Sequence, residues 1–195
     1  YNAASRYGLA EDEIAIALGK DSSVRKEFES SERTPVKWQN QEALPPIIWS
    51  RLFLDLSPYL TSAYIDGALV YRFFHREFQE VAAEIAASET EIHQIHAHLA
   101  QVFSKPYGAD LYKLTDASKP TQDSRALRRI MEQPWQLAKA ERTEELQKLL
   151  TDFSFCMAKC AANRTKDLIS DFRMVEVTRS RFSTEWQHFY GFFLG

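Results

Sequence analysis

Between Tyr71 and Val102 an apolar or aromatic side chain returns every three or four residues. The series is Tyr71, Phe74, Phe78, Val81, Ile85, Ile92, Ile95, Leu99 and Val102, with Ser88 in the one polar position. The spacings alternate strictly between three and four, and neither Pro nor Gly interrupts them. A period near 3.5 suits an α-helix and is incompatible with the period of 2 that a strand needs. The intervening residues are rich in Ala, Glu and Gln, all good helix formers. Leu60, Tyr64 and Gly67 extend the register backward. The pattern predicts one uninterrupted helix of roughly 40 residues, about 60 Å long at 1.5 Å per residue.

An apolar edge of that length must be covered. The stretch from Ser104 to Ser124 holds two Lys-Pro pairs and a Gly, and reads as a long loop. A short helix from Arg125 to Gln133 precedes Pro134, and from Trp135 to Tyr190 there is no Pro or Gly. Leu146, Leu150, Phe153, Met157 and Cys160 make one 4-3 stripe. Leu168, Phe172, Val175, Phe182, Trp186, Phe189 and Phe193 make another, with Arg179 filling one position. The two are out of phase by about one residue, and the slip falls between Ala161 and Asp167, as a register shift or a break. Two such stripes joined by a loop bury each other in an antiparallel hairpin. The expected fold is therefore all-α: an elongated helical bundle built on long antiparallel coiled-coil-like helices.

The N-terminal residues read differently. Leu9, Ile14 and Leu18 share a helix face, Gly19 is placed to end that helix, and Asp21 or Ser22 can cap a second one. Residues 31–45 are polar with proline at both ends, a connector. Pro45 and Pro46 open a further helix, and Ser57-Pro58 marks a kink or restart. The expected organisation is short helices and connector over residues 1–45, packed on a long-helix bundle over 46–195.

Net charge is −3 over 195 residues, which supplies no global attraction to nucleic acid or anionic lipid. The halves differ in sign. Residues 1–103 carry 9 Lys and Arg against 15 Asp and Glu, a net of −6; residues 104–195 carry 15 against 12, a net of +3. Six glycines argue against a turn-rich β architecture and against phosphate-cradling loops. Cys156 and Cys160 are neither at zinc spacing nor at redox spacing, and read as two small buried thiols in a reducing, cytoplasmic setting. No apolar run reaches the roughly 18 residues a membrane span requires. The chain starts at Tyr1 without a signal sequence, and both ends read as cuts in a longer protein.

Four of the five histidines lie within the long stripe: His75, His93, His96 and His98. On a helix, Glu89, His93 and His96 fall within about 60° of one another, an arc that could present three ligands to Zn²⁺, with His188 as a fourth. The plainer reading places these imidazoles beside the apolar seam as bystanders, so that no metal and no cofactor is expected. Residues 9–30 have the outline of a helix-turn-helix with Arg25 and Lys26 toward DNA, but Glu11, Asp12, Glu13, Glu27 and Glu29 would repel phosphate. Arg125, Arg128 and Arg129 cluster on the short helix, and Trp186, Phe189 and Phe193 crowd the C-terminal end.

No nucleophile elbow, P-loop or dinucleotide glycine pattern occurs. The expected function is a non-enzymatic protein–protein interaction or scaffold module, part of a larger protein or assembly. Its partners would meet it at Arg125, Arg128, Arg129, Trp186, Phe189 and Phe193, or complete the seam in trans as a homo-oligomer. The alternative is a membrane-associated helical module that touches lipid through the same arginines; a metal-binding helical protein is the third reading, and nucleic-acid binding the least favoured. The scaffold mechanism, rigid presentation by a single rod, requires the helix to run unbroken past Ser88.

Overall fold

A computed structural model describes residues 4–30, 38, 42–85, 88–104 and 124–176. It is mostly helical, with a small three-stranded sheet. The chain divides into two compact units, Tyr1–Ile65 with Leu69–Glu89, and Asp66–Ala68 with Thr90–Gly195.

The first unit begins with a two-residue strand β1 (Leu9–Ala10) leading into α1 (Glu11–Lys20) and α2 (Ser22–Ser30). The Asp21 carboxylate accepts the Ser23 N–H at 2.8 Å and so caps α2, as its position suggested. After the connector, Pro46 stands at the first position of α3 (Pro46–Leu56), and Ser57–Tyr59 makes a single 3₁₀ turn. The backbone then becomes extended. Strands β2 (Leu60–Ile65) and β3 (Ala68–Phe73) are neighbours, and β3 also pairs antiparallel with β1, Leu9 opposite Tyr71 and Ala10 opposite Val70. The sheet order is β1-β3-β2. The hairpin's returning strand therefore lies between the other two. Helix α4 (Arg76–Ile85) follows.

The hairpin and the helix break correct the expected rod. Residues 60–73 are strands because Asp66 and Gly67, both with positive φ (52° and 77°), form a two-residue turn whose twist matches an antiparallel pair. The run that looked like one helix from Tyr71 to Val102 opens in β3, and its helical part is divided between α4 and α5 (Glu89–Ser104), with Ser88 in a bend between them. The all-α class holds only in its coarse form, and the rigid rod falls with the break.

Two glycines permit close backbone approach. At Gly19, inside α1 rather than ending it, a Cβ would lie 2.5 Å from the Glu42 carbonyl oxygen, and the Leu44 N–H reaches the Ala15 carbonyl nearby at 2.7 Å. At Gly8, with φ +106°, a Cβ would meet the Tyr71 carbonyl oxygen at 2.5 Å, beside the β1–β3 pairing.

The second unit is a helical bundle. It contains α5 from Thr90 onward, α6 (Ser124–Lys139), α7 (Thr143–Thr151), α8 (Phe153–Ala161) and α9 (Thr165–Glu176). Helix α6 packs against α7, α8 and α9 and is buried on most of its circumference, Pro134 included. The expected stop before Pro134 does not occur: the helix runs on to Lys139, because packing around it outweighs the one backbone hydrogen bond that Pro cannot make. The core joins Ala100, Ile130, Met131, Leu137, Leu146, Leu150, Phe155, Cys156, Leu168, Phe172 and Val175. Each large member contributes about 1.5–3 kcal/mol.

Helix breaks decide which residues of the C-terminal stripes are buried. Asp152 caps α8 by accepting the Ser154 N–H at 2.9 Å. The new helix starts in a new phase, so Phe155 and Cys156 enter the core while Phe153 and Met157 of the expected stripe stay exposed. Asn163, with φ 59°, ends the next turn, so the slip within 161–167 is a break between helices. Beyond it, Leu168, Phe172 and Val175 are all buried, as their spacing predicted.

Candidate functional site

The helix α6 carries a row of polar side chains one turn apart, Arg128, Glu132 and Gln136, in a position normally given to Leu or Ile. All three are nearly or wholly removed from solvent. Spacing of four residues keeps them on one face. The Arg128 guanidinium donates through Nη1 to Glu132 Oε1 at 3.2 Å and lies over the Phe103 ring, 5.8 Å from its centroid. The Gln136 amide donates through Nε2 to Glu132 Oε2 at 3.4 Å. The chain ends at His96 on α5, whose Nδ1 lies 2.8 Å from Gln136 Oε1, with the imidazole set edge-on to Trp135.

The orientation of the Gln136 amide sets the direction of the last contact. With its Nε2 donating to Glu132, its oxygen accepts, and His96 donates through Nδ1–H. Burial holds the His96 pKa below the ordinary imidazole value; the hydrogen bond to Gln136 opposes that shift, and the positive fields of Lys139 and His93 add to it. The row is thus an ion pair joined through an amide to an imidazole whose burial favours the neutral form. Chemically it is a polar network that ties α5 to α6 through the bond between His96 and Gln136.

A second buried ion pair joins α8 to α9. Lys159 donates to Asp171, both fully enclosed, with the ammonium 5.8 Å from the centre of the Phe155 ring. The thiol of Cys156 in the same core donates to the Leu150 carbonyl oxygen at 3.2 Å, and burial, followed by the fields of Cys160 and Asp152, pushes its pKa up to about 12. Both effects hold the thiol in its protonated form within the core. In the same unit Arg164 donates to Asp66 at 2.7 Å.

The expected site residues are placed as follows. Arg125 is exposed, Arg129 is half-buried with its Nε donating to Gln133 at 3.3 Å, and Arg128 is interior. The three-arginine surface patch is therefore corrected: Arg128 is withdrawn from it because a guanidinium one turn from Glu132 is stable inside only as part of that pair. Trp186, Phe189 and Phe193 lie outside the described residues, as does His188. Of the metal candidates, Glu89 is exposed, His93 half-buried and His96 engaged with Gln136, and no group of three or more ligand-type side chains comes together among the described residues. Arg25 of the helix-turn-helix outline lies over the Trp38 ring at 5.2 Å and donates to the Gly19 carbonyl oxygen at 3.3 Å.

The first unit offers a surface of another kind. Phe78 packs its ring against Tyr59 and Phe73, at 5.1 and 5.9 Å, and so seats α4 on the sheet. From there the apolar stripe of α4 runs outward into solvent, with Val81 51% exposed and Ile85 77%; Phe74, just before the helix, is 64% exposed. On α3, Ile47 and Leu54 are likewise exposed, while Trp49 is buried. The sequence pattern announced the α4 stripe but implied that protein of the same chain would cover it. Glu132, Gln136, Lys159 and Asp171 had no sequence signal beyond the four-residue spacing on α6.

No protein-family model matches the chain, and no solved structure does. Over 190 residues, 88% of the chain, it is 30% identical to human NACHT domain- and WD repeat-containing protein 1. Over 192 residues, 89% of the chain, it is 29% identical to the mouse protein of the same name. The chain spans 12% of the length of each of these relatives.

Proposed function

We propose that this chain is a non-enzymatic interaction module of a larger multidomain protein, similar in kind to the NACHT and WD repeat proteins it matches. The observation that carries the reading is the exposed apolar stripe of α4, continued in kind by Ile47 and Leu54 on α3. Side chains of this size standing out from a well-packed unit are a docking feature more than a solvated one. The match of most of the chain to a short segment of much longer proteins supports the same reading, because such a segment has neighbouring domains to meet. The second unit, with its core and its buried ion pairs, serves as the firm body that holds its own helices in register.

The charges of the first unit oppose nucleic acid as the partner. Helix α3 carries one Arg and one Asp and leaves Ile47 and Leu54 exposed. A groove-reading helix needs cations or hydrogen-bonding side chains there. Lipid contact through the arginine cluster loses its central member to Glu132, and among the described residues no helix is long and apolar enough to cross a membrane.

Hydrogen–deuterium exchange tests the reading. It is run on this chain alone and on the longest natural polypeptide that contains it. Added protection over Ile47–Leu54 and Phe74–Ile85 in the longer protein is the expected result. Equal exchange over both stretches overturns it.

A further inference from the structure

We infer that the exposed stripe of α4 receives an amphipathic helix bearing a row of Lys or Arg along one flank. The inference rests on the docking reading above and names the partner for that surface. At 100° per residue, Phe78, Val81 and Ile85 fall within about 60° of one another on α4, a seam of the width that one facing helix covers. The same rotation sets Glu77, Glu80 and Glu84 within a second arc of about 60°, directly beside the seam and on one side of it. The opposite flank carries Ala82 and Gln79. Arg76, on the back of the helix, pairs with Glu80 at 2.7 Å, which leaves the acidic flank dominated by Glu77 and Glu84, both exposed. An apolar seam with carboxylates along one edge selects its partner by charge as well as by shape.

Two occupants are thereby separated. A second copy of the chain would bring the carboxylates of its own α4 to the contact, in a half that carries a net of −6, and like charges along a helix pair disfavour it. A helix with apolar residues at heptad spacing and cations on the matching flank satisfies both the seam and the charge row. The seam is short, about 15 Å over ten residues, so the contact made by α4 alone is weak and gains strength only when partner and module are held near each other.

The test uses synthetic helical peptides of equal length and equal Leu heptad content. One has Lys at the flanking positions, one has Glu there, and one has the first peptide's residues in scrambled order. Binding to the intact chain is followed by fluorescence anisotropy at low salt. The Lys peptide should bind at least tenfold more tightly than the Glu peptide, and the scrambled peptide should not bind. The double substitution Val81→Ser with Ile85→Ser should abolish the Lys peptide's binding. The double substitution Glu77→Lys with Glu84→Lys should reverse the charge preference. These four positions are exposed, and circular dichroism checks that each variant keeps its helix content.

Equal binding of the Lys and Glu peptides, or binding that the α4 substitutions leave unchanged, overturns the inference. So does a dimer in light scattering that Val81→Ser with Ile85→Ser dissolves, since a second copy would then own the surface. In each of these cases protection of α4 in the longer polypeptide would still uphold the docking reading. Loss of that protection would remove both.

Discussion

His96 and Gln136, forty residues apart on α5 and α6, share a buried hydrogen bond of 2.8 Å, and a protonated imidazole there would place a charge in the interior within the fields of Lys139 and His93. The folded-state pKa of His96 lies below its unfolded value of 6.5. Below pH 6.5 the unfolded chain therefore binds the proton more readily than the folded one. The stability contributed by the neutral imidazole is complete above pH 6.5, falls as the pH drops below it, and levels off below the folded-state pKa. Denaturant melts from pH 7.5 down to 5 should show this slope, and His96→Gln should reduce it.

Arg128 and Arg125 are three residues apart and predict opposite behaviour. Removing Arg128 takes from the enclosed Glu132 the guanidinium it is paired with, a defect of about 3–5 kcal/mol. Arg128→Met should lower the stability by that order in denaturant melts, while Arg128→Met with Glu132→Leu should recover much of it. Arg125→Glu, at an exposed position, should stay within about 0.5 kcal/mol of the unmodified chain.

Helix propensity alone favours Ala over Gly at position 19 by about 0.8–1 kcal/mol. The contact with the 42–43 backbone decides against it. A Cβ there would lie 2.5 Å from the Glu42 carbonyl oxygen and 2.6 Å from the Ala43 Cα, so the returning chain must move away from α1. Overpacking of this kind costs about 1–3 kcal/mol, which exceeds the propensity gain. Gly19→Ala should therefore lower the thermal midpoint.

The two thiols should differ in reactivity. With its pKa pushed up to about 12, Cys156 is thiolate in roughly one molecule in ten thousand at pH 8. Cys160 is only half-buried. Titration with a chromogenic disulfide should register one thiol in the native chain and two after unfolding in guanidinium. Two fast thiols in the native state would contradict the enclosed position of Cys156.

Much of this fold can be read from local pattern. Asp21 caps α2, Pro46 opens α3, and the spacing of Leu168, Phe172 and Val175 marks one buried face of α9. These features depend on neighbours within one or two turns, so the sequence alone specifies them. The hairpin was equally legible, as an Asp-Gly pair between two β-rich runs, but a heptad spacing passes through the same residues and conceals it. The periodicity of 71–102 names which residues are apolar, yet a 3-4 spacing does not say whether the helix is continuous or what covers its edge.

Tertiary structure decided the rest. It gave the apolar stripe to two separate helices and exposed Phe74, Val81 and Ile85 while enclosing Leu99 and Val102. It drew Arg128, Glu132, Lys159 and Asp171 inside, where their charges are tolerated only as pairs. Partners for an ion pair or a helix face come from residues remote in sequence, and the free energy of enclosing a charge depends on those partners rather than on the residue itself. For that reason composition and spacing could locate the histidines and arginines along the chain, and only packing could place His96 beside Gln136 and take Arg128 off the surface.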